Sequence, residues 1–133
     1  MSDPNLWLEI AISDLESAVI LRDAHKPNQA AYHAQQAAEK ALKGYLVLHE
    51  VRIKKVHDLM LLITECAEID HTFLELIPQA EYLKPFSTKS RYPDDYIDLE
   101  FDEVKLLTEY AEIIVNFVAK YYKNPIQKRL PLD

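Results

Sequence analysis

A single glycine, Gly44, stands among 133 residues. Tight turns between strands draw on glycine for positive φ, so a chain with one of them is poorly equipped to build a sheet. Long helices joined by few connections are what it can build instead. The length fits one domain and is enough to bury a core without staples. Apolar residues make up 49% of the chain, which argues for a globular protein rather than a disordered one. Cys66 is the one cysteine, so no disulfide can close within the chain. No charged-then-apolar leader opens it and no apolar run approaches the length of a membrane span, so a soluble, cytoplasmic protein with no membrane contact is expected. The formal charge is −7, which suits no broad nucleic-acid coat. A local basic patch remains open, because binding senses local potential rather than the total.

Hydrophobic spacing places the helices. Leu8, Ile12, Leu15 and Val19 predict a first helix over 4–24, with Asp3 as its cap and Pro4 at its first position. Pro27 breaks the pattern, and Asn28 is the expected cap of a second helix over 29–50. There Ala34, Ala37, Ala41, Tyr45 and Leu48 form one stripe, and the small residues allow a close approach of helix axes. A basic connection, "RIKKVHDL", leads to a third helix over 57–68 with Asp58 in its first turn. Asp70 can cap a fourth over 71–83, which Pro78 should kink or split. Residues 84–101 lack periodicity, and such long loops are often functional. The last helix is expected over 102–123, stopped by Pro125, with 124–133 as a tail. The fold class that follows is all-α, an antiparallel up-down bundle of four to five helices, with residues 1–123 as one domain.

No glycine-rich phosphate loop, zinc motif or paired-cysteine motif is present. On the second helix His33, Gln36, Lys40 and Lys43 step by three, four and three and share a face, and Glu39 can pair with Lys43 at i, i+4. That face reads either as a solvated helix surface or as a groove whose amide and ammonium donors hold an anion or a base. Arg52 and His57 fit Arg-x4-His, a pair that can cleave RNA without metal: arginine steadies the phosphate and histidine moves the proton. The alternative is a loop arginine and a helix-start histidine with no shared task. Arg91 and Tyr92 can clamp a phosphate and stack on a base. The acidic run from Asp94 to Glu103 matches no calcium-loop spacing and reads as a solvated loop, so no metal and no cofactor are expected. Cys66 lies on an apolar face and reads as core.

The stretches "YHAQQAAEKALKGYL", "HDL" and "SRYPD", in that order and spacing, resemble the HEPN family, over roughly residues 4 to 122. The resemblance implies a helical bundle that commonly dimerises and often works with a minimal nucleotidyltransferase in toxin–antitoxin fashion. It is also similar to the substrate-binding helical domain of aminoglycoside nucleotidyltransferases. The family pattern falls on Gln36, Glu39, Lys40, Lys43, His57, Asp58, Arg91 and Tyr92. In this reading Lys40, Lys43 and Arg91 contact phosphate, and Gln36 and Tyr92 contact a base or a partner. His57 and Asp58 order the third helix beside them. HEPN ribonucleases carry Arg-x4-6-His on the last helix, whereas here that helix, "FDEVKLLTEYAE" onward, holds neither residue. The resemblance therefore points to a nucleotide- or RNA-binding subunit, homodimeric, with a nucleotidyltransferase partner. A metal-independent ribonuclease toxin using Arg52 and His57 and a non-catalytic structural dimer are the rival readings.

Overall fold

The computed structural model describes residues 3–87 and 97–122. Five α-helices follow one another: α1 (Pro4–Asp23), α2 (Pro27–Leu48), α3 (Leu59–Ile69), α4 (Ile77–Leu83) and α5 (Phe101–Ala119). Two 3-10 segments, His71–Leu76 and Lys84–Phe86, flank α4. No strand occurs among the described residues, and none of the helices is long and apolar enough to cross a membrane. The fold is the all-α bundle expected from the spacing.

Helix α2 is the central element, packed against α1, α3, α4 and α5. Its alanines explain how. Ala30, Ala31, Ala34, Ala37, Ala38 and Ala41 are all fully buried, so neighbouring backbones close on it from several sides. Leu8, Ile12 and Leu15 come from α1, Leu62 and Ile63 from α3, and Ile114 and Val118 from α5. An aromatic group of Tyr45, Phe73, Phe117 and Tyr121 closes one region of the core. There the Tyr121 hydroxyl donates to Asp70, whose carboxyl also accepts from the Thr72 hydroxyl and amide. These donors hold the Asp70 carboxyl down to about 2. Cys66 is buried as expected, its thiol raised to about 12 chiefly by desolvation.

The one glycine does not turn the chain. Gly44 lies inside α2, and a Cβ there would meet the Tyr122 hydroxyl oxygen at 2.9 Å and Trp7 Cβ at 3.0 Å. It is a point of close approach. The left-handed positions at helix ends are taken by other residues, His25 (φ 59°) after α1 and Glu50 (φ 60°) after α2. Both close Schellman motifs: Lys26 N donates to Leu21 O and Val51 N to Leu46 O, each at 2.9 Å.

Local expectations are corrected at the helix ends. Helix α2 starts at Pro27, which supplies a preset φ and lacks the donor a first position would waste, so Asn28 sits inside the helix and does not cap it. Asp58 precedes α3 as its N-cap, accepting from the amides of Met60 (2.9 Å) and Leu61 (3.4 Å). The expected fourth helix is divided, with a 3-10 segment before Pro78 and α4 beginning around it, because proline fits a first turn and not an interior. Helix α5 ends at Ala119, short of the expected 123, with Lys120 as its C-cap. Arg91, Tyr92 and the tail 124–133 lie outside the described residues.

A buried polar relay through the central helix

The polar residues of α2 are not a wet face. Gln35, Gln36, Glu39 and Lys43 are all buried, with Glu39 only 1% exposed. Moving a carboxylate out of water costs several kcal/mol after relaxation unless it is paired and hydrogen-bonded. Three groups meet that requirement. Lys43 Nζ donates to Glu39 Oε2 at 3.0 Å, one helical turn on. The Gln35 amide donates to Oε1 at 3.3 Å. His57 Nδ1, arriving from the connection before α3, lies 3.1 Å from both carboxylate oxygens.

An ionised carboxylate only accepts, so Nδ1 of His57 carries the hydrogen toward Glu39. In the neutral ring this leaves Nε2 as the basic nitrogen. The His57 side chain is 66% exposed although its partner is fully buried. Glu39 thus orients an imidazole that stands largely in solvent, and the Gln35 amide also reaches the His57 backbone carbonyl at 3.4 Å.

The bonds continue in the other direction. Gln36 Nε2 donates to Gln35 Oε1 at 2.8 Å, and Lys40 Nζ donates to Gln36 Oε1 at 3.2 Å. Lys40 also lies 3.7 Å from Asp14 on α1, which accepts from His33 Nδ1 at 3.1 Å. Lysine can only donate and the carboxylate can only accept, so both carboxamides must point the same way. The result is a directional relay, Lys40 to Gln36 to Gln35 to Glu39, open to solvent at both ends. With neutral histidines its charges cancel, Asp14 and Glu39 against Lys40 and Lys43.

The residues singled out in the sequence divide accordingly. Gln36, Glu39, Lys40, Lys43 and His57 are brought into one network. Asp58 stands beside it as the α3 cap. Arg52 is exposed on the same connection as His57, along with Lys54 and Lys55. Lys43 is engaged by Glu39 and largely covered, whereas Lys40 keeps a quarter of its side chain exposed. Gln35 and Asp14 were not legible as members. Gln35 precedes Glu39 by one helical turn, the signal that could have marked it; Asp14 comes from another helix and leaves no local trace. Among the described residues no three His, Cys, Asp or Glu side chains gather as metal ligands.

Comparison with known proteins agrees with this architecture. A family model described as HEPN domain matches residues 4–121. A protein of Methanocaldococcus jannaschii named "Putative toxin MJ1304" is 33% identical over 98 residues, which are 68% of this chain and 64% of that protein. The match thus spans just under two thirds of that relative's length. Two crystal structures are similar, each over 92% of this chain and all of the other and each at 26% identity. One is TT1696 from Thermus thermophilus, at a TM-score of 0.81. The other is ST0689, an archaeal HEPN homologue, at 0.74.

Proposed function

The chain belongs to the HEPN domain family, and from that premise we propose that it is the nucleotide- or RNA-binding subunit of a toxin–antitoxin-like pair, acting as a homodimer with a nucleotidyltransferase partner. The observation that carries the binding reading is the relay in α2. It spends a buried carboxylate and two buried carboxamides on holding a surface imidazole and a surface ammonium in place. A packed bundle gains little from such a network over apolar residues of the same volume. A ligand site gains orientation from it.

In this reading Lys40 and His57 contact the phosphate, and Arg52, Lys54 and Lys55 extend the basic surface along the same connection. Gln36 aims Lys40. Glu39 aims His57, and Lys43 neutralises Glu39. The toxin role is supported by the name of the M. jannaschii relative and stays a proposal for this chain. Calorimetry with nucleotides and short RNAs tests the reading. Saturable binding should weaken about tenfold or more in Lys40→Ala and His57→Ala, and should fall with salt as phosphate contacts do. Failure to bind at millimolar ligand, with the nucleotidyltransferase also present, counts against it.

A second reading, a metal-independent ribonuclease, is favoured by the Glu39–His57 geometry specifically. His57 Nε2 would take the proton of a ribose 2′-hydroxyl as the 2′-oxygen bonds to phosphorus. The bond from phosphorus to the 5′-oxygen then breaks, that oxygen takes up a proton, and Arg52 steadies the phosphate. Cleavage of RNA in chelator that His57→Ala abolishes supports this reading, and equal cutting by the mutant removes it.

A further inference from the structure

At one end of the relay Asp14, His33 and Lys40 repeat the arrangement of Glu39, His57 and Lys43 at the other. In each set a carboxylate faces the Nδ1 of an imidazole at 3.1 Å. In each a lysine ammonium stands beside that carboxylate, 3.7 Å from Asp14 and 3.0 Å from Glu39. The sets differ in what they leave open. Lys43 is only 8% exposed, so the Glu39 set offers solvent an imidazole alone. In the Asp14 set both members are open, His33 at 28% and Lys40 at 25%.

The donors decide what this pair can hold. The Asp14 carboxylate only accepts, so His33 Nδ1 carries the hydrogen and Nε2 of the neutral ring is an acceptor. That Nε2 meets no hydrogen-bond partner among the described residues and is not buried. Tyr32 packs edge-on against the ring, centroids 5.4 Å apart, so the imidazole is held on a second side. An acceptor and an ammonium that converge on one carboxylate suit a ligand with a hydroxyl donor close to an anionic group. A ribonucleotide 3′-phosphate is built that way, with its 2′-hydroxyl on the neighbouring ring carbon. A 2′-deoxynucleotide lacks the donor.

We propose that His33 and Lys40 form a subsite for a ribose 2′-hydroxyl and its neighbouring phosphate, with Asp14 as the positioning residue that keeps His33 Nε2 an acceptor. The proposal rests on the binding reading and goes beyond it by naming the side chain that sets a preference for ribose. Calorimetry of the full chain with a ribonucleoside 3′-monophosphate and its 2′-deoxy counterpart tests it. The wild type should prefer the ribose form by about fivefold, the worth of one hydroxyl hydrogen bond. His33→Ala should bring the two ligands to within about twofold of each other. Asp14→Asn should do the same with the imidazole still present, because a carboxamide can donate to Nδ1 and leave Nε2 a donor. The same comparison with a trinucleotide RNA and its DNA counterpart separates a strand from a free nucleotide, the more tightly bound pair naming the source. Circular dichroism checks that each variant keeps its helices. Equal binding of the ribose and deoxyribose ligands by the wild type overturns the subsite and leaves the binding reading standing. A ribose preference that survives either substitution, with helix content unchanged, overturns it as well. A wild-type chain that binds none of these ligands at millimolar concentration, with the nucleotidyltransferase also present, overturns the binding reading and the subsite together.

Discussion

Glu39 is the residue on which most else turns. Its carboxylate is buried, and its full-charge partner among the described residues, Lys43, is nearly as covered. Removing one member of such a pair strands the other. Lys43→Met should therefore cost about 3 kcal/mol, the lower end of the usual range, because Gln35 and His57 still donate to Glu39. Adding Glu39→Gln in the same chain should recover much of that loss, since a buried amide is cheaper than an unpaired carboxylate. Urea unfolding of the two variants checks both statements. Gly44 is the other single-residue constraint. Alanine would improve helix propensity by up to about 1 kcal/mol but overpack by about 1–3 kcal/mol against Tyr122 and Trp7. Net destabilisation of Gly44→Ala is expected, and Tyr122→Phe should cost less in that background than alone, because it removes the atom at 2.9 Å. A double-mutant cycle reads that coupling.

At the scale of elements, helix ends separate what the sequence reveals from what it hides. Asp3 and Asp70 cap as expected, because a side chain that accepts from the next amides works locally. Pro78 divides its helix for an equally local reason. The C-terminal ends of α1 and α2 were harder. A Schellman closure usually advertises itself by glycine, and here His25 and Glu50 take the left-handed position at a cost of about 1–2 kcal/mol. Glu50→Gly should therefore stabilise the protein by about 1 kcal/mol, while Glu50→Ala, which keeps the Cβ, should gain little. Thermal unfolding distinguishes the two. The contact between Asp70 and Tyr121 ties the end of α5 to the end of α3, and it responds to acid. The Asp70 carboxyl titrates at about 2 in the folded chain against an ordinary 3.8, so its stabilisation is full above the ordinary value and is lost as pH falls through the folded one. The difference in melting temperature between wild type and Asp70→Asn should shrink over that window.

For the molecule as a whole, the bundle was legible because apolar residues at three-four spacing report the buried side of each helix. The relay was not, because spacing assumes that polar residues face water. That assumption fails for α2, which is enclosed by four other helices and buries its polar residues along with its alanines. Gln36, Glu39, Lys40 and Lys43 could be named from the sequence as one set, but their joining to His57 across an intervening connection, and to Asp14 on α1, is a product of tertiary packing. The basic connection gains its place in the same way, through His57. The most direct test of the relay as a ligand site is an NMR titration of the full chain with a short RNA, following backbone amides and the histidine ring nitrogens. A site at the ends of the relay predicts saturable shifts concentrated at Lys40 and residues 52–57, with the His57 Nε2 resonance moving most and Nδ1 remaining protonated toward Glu39. Saturable shifts confined to other surfaces, with His57 and Lys40 unmoved, would contradict it.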